Sequence, residues 1–319
     1  MVTPRDKPEV TVVIPTRNRW HRLRRTLAGA LAQEGVALEV ILVDDASAER
    51  MPADLGATAT GDSRLRVVRN DAGLGLAGAR NRGIAESRGT WIAFLDDDDL
   101  WAPRKLRAQL DAADAAGAAW AYAAAIELDE RARPIAPPEP PPVPEDVARL
   151  LLVANAIPAG SSNVLVRTDV VQRLGGFDEH LTQLADWDLW LRLAAAEPAT
   201  ACTEVLVGYV LHSENMIHTD PGGVIGEFER LGAKHRKASD AAGVEFDAVR
   251  VFRWIAWSHR RAGKRRSAAA AYLRAAFLQR SLGDVPRAVG ALAGERAFGV
   301  KRRLALRDVT EPTWLELYR

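Results

Sequence analysis

Apolar runs and helix-period patterns alternate along the first 120 residues. The runs at 10–15, 39–43, 65–69 and 90–95 are short and bounded by polar or glycine-bearing stretches, which predicts buried strands. Between them, 20–33 and 77–88 carry apolar residues at helical spacing and predict helices. Strands separated by helices imply right-handed crossovers. The expected fold is therefore α/β, a Rossmann-like, mostly parallel sheet with helices on both faces. In such sheets ligands bind outside the carboxyl ends of the strands. That geometry gathers Pro15-Thr16-Arg17-Asn18, Asp44-Asp45, Asn70 and Asp96-Asp97-Asp98-Asp99 along one edge, because each lies just past a predicted strand.

Further along, 133–144 contains seven prolines and predicts an extended surface loop rather than helix or central strand. Residues 162–167 read as a strand and 186–196 as a helix. The pair Gly222-Gly223 is the expected boundary between a first domain, 1–222, and an α-helical C-terminal region, 223–319. Within that region 246–261, 267–282 and 285–296 are Ala-rich and apolar-periodic, as in a helical hairpin or small bundle.

A chain of 319 residues has room for one large domain with an appendage, or for two domains. The single Cys202 excludes an intramolecular disulfide and a cysteine-rich metal site, in keeping with a reducing cytoplasm. Residues 1–8 carry charge and two prolines, not the apolar core of a signal peptide. No apolar stretch approaches the roughly 20 residues that span a bilayer. Net charge is +1, yet from Val224 onward twenty Lys and Arg face ten Asp and Glu. That asymmetry directs the tail toward an anionic partner such as a membrane surface, a nucleic acid or an acidic protein face. A solvated helical face is the competing explanation.

The acidic run Asp96 to Asp99 carries the strongest chemical signal. Four carboxylates behind a buried strand repel one another unless a cation or water relieves them. Magnesium or manganese suits them, binding through one or two carboxylates and leaving positions open for phosphates. The alternative is a solvated turn capping a helix that begins near Pro103. The stretch Gly73-Leu74-Gly75-Leu76-Ala77-Gly78 matches G-x-G-x-x-G between a predicted strand and a predicted helix, which keeps an NAD-dependent oxidoreductase as an alternative. Against it, the motif follows the third strand, not the first, and a ribose-binding acid would leave three aspartates unexplained.

The succession Val12-Val13-Ile14-Pro15-Thr16-Arg17-Asn18-Arg19, Ile41-Leu42-Val43-Asp44-Asp45-Ala46-Ser47, Ala79-Arg80-Asn81-Arg82-Gly83, Phe94-Leu95-Asp96-Asp97-Asp98-Asp99 and Asp186-Trp187-Asp188-Leu189-Trp190-Leu191-Arg192 resembles family-2 glycosyltransferases of the GT-A fold. The resemblance covers about the first 220 residues. It implies an inverting, hexosyltransferase-type enzyme with a nucleotide-sugar donor, most readily a UDP-sugar, and a divalent metal cofactor. Pro15, Thr16 and Arg17 would border the nucleotide, Asp45 would accept a hydrogen bond from the base, and Arg80 would lie near the diphosphate. Asp96-x-Asp98 matches the DxD element, with Asp96 and Asp97 toward the donor and Asp98 a metal ligand. Asp186 matches the catalytic base, although Ala185 stands where the family pattern has Glu. Tyr209-Val210-Leu211-His212-Ser213-Glu214-Asn215 resembles the family's late strand and His turn, making His212 a candidate metal ligand with His218 as alternate.

The acceptor implied is a saccharide or a lipid-linked saccharide, in cell-surface polysaccharide or glycoconjugate synthesis at the inner face of the membrane. Trp254, Trp257 and Arg260-Arg261 are candidate interfacial residues, or contacts to the first domain or to a second subunit of a homo-oligomer. Nucleic acid is not an expected partner. A non-catalytic nucleotide-sugar binding protein is the other class to separate, and the intact acids argue for an enzyme. Sugar choice is assigned to the surroundings of Ser161, Ser162 and Asn163 and to the proline-rich loop.

Overall fold

The computed structural model describes residues 7–212, 221–294, 298, 306–307 and 309–319. Among these, the strands are β1 (Val10–Thr16), β2 (Leu38–Asp44), β3 (Leu65–Arg69), β4 (Trp91–Phe94), β5 (Leu100–Trp101), β6 (Trp120–Leu128), β7 (Leu165–Arg167) and β8 (Ala199–Val210). The helices of the first two hundred residues are α1 (Trp20–Leu31), α2 (Ala53–Gly61), α3 (Gly75–Glu86), α4 (Lys105–Ala116), α5 (Val147–Leu151), α6 (Thr168–Arg173) and α7 (Ala185–Ala196). Then come α8 (Pro221–Lys234), α9 (Arg236–Ala242), α10 (Ala248–Arg261), α11 (Arg265–Leu278) and α12 (Val285–Ala293).

The strands form one sheet in the order β3-β2-β1-β4-β7-β6-β8-β5. β1 pairs in parallel with β2 and β4, β2 with β3, and β6 with β8. β7 is antiparallel to both β4 and β6, and β5 is antiparallel to β8. The predicted strand at 162–167 is thus a 3-10 turn, Gly160–Asn163, followed by a short antiparallel strand.

Alternation along β1 shows how the sheet is buried on both sides. Val13 packs with Ile41, Phe94, Tyr122 and the α7 residues Trp187, Leu189, Trp190 and Leu193. Its neighbours Val12 and Ile14 pack oppositely, with Leu23 and Leu27 of α1 and Leu106 and Leu110 of α4. Each such side chain contributes roughly 1.5–3 kcal/mol on leaving water. The first core continues without a break into the C-terminal helices through Val224, Leu231, Val251, Ile255 and Tyr272. Gly222-Gly223 falls inside the first turn of α8.

The proline-rich stretch runs beside the second half of β6, where β7 no longer reaches. Glu139 and Ala125 exchange backbone hydrogen bonds of 2.7 and 3.1 Å, and Ile135 N donates to Glu127 O at 2.9 Å. The 3-10 helix Thr313–Tyr318 returns to the sheet at its other edge. There Leu315 is fully buried, Trp314 Nε1 donates to Val205 O at 2.9 Å and Tyr318 Oη donates to Trp101 O at 2.7 Å. Among the described residues no helix is long and apolar enough to cross a membrane.

Candidate functional site

β1, β2 and β4 end side by side, so their following residues meet at one edge of the sheet. Thr16 Oγ1 donates to Asp97 Oδ2 at 2.7 Å, and Arg19 Nη1 lies 3.1 Å from Asp97 Oδ1. Arg19 Nη2 bonds to Asp98 and lies 3.0 Å from His212 Nε2, which is itself 2.8 Å from Asp98 Oδ2. Burial, followed by the charge of Asp98, pushes Asp97 up to about 7. Asp98 moves the other way: burial would raise it, but the His212 hydrogen bond and the charge of Arg19 hold it below the usual carboxylate range. The acidic run is therefore one relieved by internal partners.

The four aspartates have separate tasks. Asp96 is paired with the buried Arg80, whose Nη2 lies 2.5 Å from Asp96 Oδ1 and whose guanidinium stands 5.2 Å from the Phe177 ring centroid. Asp99 is wholly buried and accepts from Ser162 Oγ at 2.5 Å and Val210 N at 2.9 Å, which ties the run to β8. Ser162 Oγ also accepts from Asp96 N at 3.1 Å. Asn163 bonds both ways with the backbone of Ala123, at 2.7 Å each, and donates to Pro158 O at 2.8 Å. Ser162 and Asn163 thus have their polar groups committed to holding the fold. Buried Ser161 Oγ has no hydrogen-bond partner among the described residues.

Asp45 lies in the next strand end and accepts from Asn70 Nδ2 at 2.9 Å, Leu74 N at 2.8 Å and Gly75 N at 3.0 Å. Its carboxylate caps the start of α3. A dinucleotide's pyrophosphate would need those same amides, and β3 is an edge strand. Both facts remove the oxidoreductase alternative. Arg17 Nη1 is 4.0 Å from Asp45 Oδ2 and lies over Gly73, where a Cβ would come within 2.5 Å of it. Pro15 stands opposite Val43, one residue before Thr16 in β1.

Asp186 is the second residue of α7, not its cap; Leu184 holds that place. Asp186 Oδ1 accepts from Trp187 N at 2.7 Å, and Oδ2 lies 3.5 Å from Asn155 Nδ2. Burial raises its pKa, against the pull of nearby Arg80. Asp188, two residues further along α7, is fully buried among Arg192, Lys234 and His235. The late strand of the sequence reading is the end of β8, which delivers His212; Ser213, Glu214, Asn215 and His218 lie outside the described residues.

The donor chemistry around Asp98 fits a divalent cation in a particular way. Among the described residues no group of three or more His, Cys, Asp or Glu side chains could hold a metal ion alone. Asp98 and His212 converge, however, and a guanidinium nitrogen of Arg19 contacts both. Two protein donors with the remainder from phosphates and water is an ordinary set for magnesium or manganese. The sequence does not reveal Arg19, because an arginine in an Asn-Arg turn carries no local mark of such a role.

A single α/β sheet, mostly parallel, with acids along its carboxyl edge and helices following it, is the architecture of the GT-A glycosyltransferases. A sequence profile described as Glycosyl transferase family 2 matches residues 11–175, more than half of the chain, and the chain belongs to that family. It is 47% identical over 111 residues to the succinoglycan biosynthesis protein ExoO of Rhizobium meliloti, an alignment covering 35% of this chain and 31% of that protein. Among solved structures it is similar to S. aureus TarS 1-349 in complex with UDP-GlcNAc, with a TM-score of 0.55 and 15% identity over 92% of this chain and 83% of that one. The mannosyltransferase PcManGT from Pyrobaculum calidifontis, in complex with GDP-Man and Mn2+, gives 0.53 and 21% over 98% and 84%. At these identities the structures speak for the fold.

Proposed function

We propose that this glycosyltransferase moves a sugar from a nucleoside-diphosphate donor to an acceptor hydroxyl with inversion, in the assembly of a cell-surface polysaccharide. The observation that carries the reading is Asp186, a carboxylate raised by burial and set beside the Arg80–Asp96 pair at the same sheet edge as Asp98 and His212. A base that takes a proton at neutral pH is best served by such a raised carboxylate. Asp186 takes the proton of the acceptor hydroxyl as that oxygen attacks the anomeric carbon. Arg80 faces the diphosphate, and Thr16, Arg17 and Asp45 border the nucleoside. A divalent ion held by Asp98 and His212 would offset the charge that develops on the leaving diphosphate. One base and one displacement give inversion.

The relatives support a UDP- or GDP-linked donor and a saccharide acceptor. Exposed Leu273, Phe277, Leu282, Val289 and Leu292 on or between α11 and α12, with exposed Arg266, Arg274 and Arg280, support docking to an anionic membrane that presents a lipid-linked acceptor. Trp257 is half-buried under Arg261, 5.5 Å from its ring centroid, and Trp254 is the more exposed of the pair. Salt-sensitive flotation with anionic vesicles is expected, and its absence removes the membrane part. For the chemistry, Asp186→Asn should lower turnover by about 10²- to 10⁴-fold with nucleotide binding intact. A full rate in that variant would falsify the base assignment.

A further inference from the structure

Helix α7 presents Asp186 in its first turn, and apolar Leu184 occupies its cap position and makes no side-chain bond. The segment that leads into it is held from another helix. Glu227, buried in α8, directs its carboxylate at three consecutive amides. Oε1 accepts from Thr182 N at 2.8 Å, while Oε2 accepts from Gln183 N at 2.8 Å and Leu184 N at 2.9 Å. Charge-assisted bonds from a carboxylate to a row of backbone amides are strong and directional.

The grip continues along α7. Phe228, next to Glu227, packs on Trp187 with ring centroids 6.0 Å apart. Asp188 Oδ1 takes Lys234 Nζ at 2.9 Å and His235 Nε2 at 2.8 Å from the end of α8 and the residue beyond it. α8 and its end therefore hold residues 182–184, 187 and 188 and leave 186 to face Asn155, Gly160 and Arg80.

We propose that Glu227 is the positioning residue of the base: by fixing the start of α7 it sets where the Asp186 carboxylate meets the acceptor, without touching substrate. The inference rests on Asp186 being the base. It also gives the C-terminal helices a part in turnover, separate from any docking.

The test uses the full chain with Glu227→Gln, Glu227→Ala and Asp186→Asn. It reads amide hydrogen exchange, calorimetric binding of UDP and GDP with manganese, and release of nucleoside diphosphate from the UDP- and GDP-sugar that turns over. In Glu227→Ala the amides of 182–184 should exchange at least tenfold faster, and kcat should fall by about tenfold to a hundredfold, as for a reacting group misplaced by an ångström. Nucleotide affinity should stay within twofold of wild type. Glu227→Gln keeps the shape and one acceptor oxygen, and should lie between. Unchanged exchange, or full kcat in Glu227→Ala while Asp186→Asn is inactive, overturns the positioning role and leaves the base assignment standing. Loss of kcat and nucleotide affinity together in both Glu227 variants marks a merely structural contact and overturns it too. Full kcat in Asp186→Asn instead sinks the base assignment, and this inference with it.

Discussion

Replacing Gly160 by alanine probes how closely the backbone approaches the proposed base. Gly160 follows Ala159 at the start of the 3-10 turn and has φ +51°. A Cβ built there lies 2.8 Å from Asp186 Oδ2, against about 3.4 Å for ordinary contact, so the carboxylate must retreat by about 0.6 Å. Retreat strains the 2.7 Å bond to Trp187 N, since the side chain is short. The left-handed backbone costs an alanine about 1–2 kcal/mol, offset by about 0.4–1 kcal/mol from a stiffer unfolded chain. A net loss near 1 kcal/mol lowers Tm by roughly 1–2 °C in a chain of this size. Turnover is more sensitive, because misplacing a reacting group by an ångström costs on the order of a hundredfold. Gly160→Ala should therefore fold, bind UDP or GDP with manganese as wild type does, and lose about tenfold to a hundredfold in kcat. Wild-type kcat in the folded variant would refute the claim that this contact places the base.

Arg19→Ala removes the cation that competes for Asp98 and His212. Manganese binding without nucleotide, followed by paramagnetic resonance, should tighten by about tenfold or more, as expected for loss of a close like charge; equal affinity contradicts the competition. Asp188 gives a pH prediction. Burial would raise it, but hydrogen bonds from His235 and Lys234 and the charge of Arg192 hold it below the ordinary 3.8. A carboxylate lowered in the folded state contributes stability above that ordinary value and loses it as pH falls through the folded one. Asp188→Asn should thus cost roughly 3–5 kcal/mol near pH 7, with a shallower decline below pH 4 than wild type; parallel acid curves rule the linkage out. Tyr318→Phe deletes the donor to Trp101 O and should cost about 1 kcal/mol in urea unfolding, with an unmoved midpoint counting against that contact.

β1 and β2 are legible because they are buried on both faces and carry the runs Val12-Val13-Ile14 and Val40-Ile41-Leu42-Val43. β6 is not, since four of its nine residues are alanines, which mark helix more readily than strand. Its place in the sheet is set by β8, whose residues are distant in sequence. β5 is two residues long and has no pattern to read. Within the site, the acids and Asp186 follow from strand ends and motif order. Arg19, Gly160 and Glu227 do not, because each acts through a partner reached only by folding. The C-terminal helices are legible as helices from their periodicity. Their continuity with the first core was hidden, since periodicity gives a helix its apolar face but not what that face meets.

The sheet order also has a meaning in time. A ribosome releases the Thr16, Asp45 and Asp97 part of the site first, since these residues end or closely follow strands β1, β2 and β4, and β1 pairs with both of the others. Yet β5, directly after the aspartates, pairs with residues 207–208, and His212 reaches Asp98 across 114 positions. Contacts of such separation form late and slowly. A chain halted before α8 would hold the helix of the proposed base without Glu227, so a rise to full activity in a nascent chain would report that synthesis had passed the middle of α8.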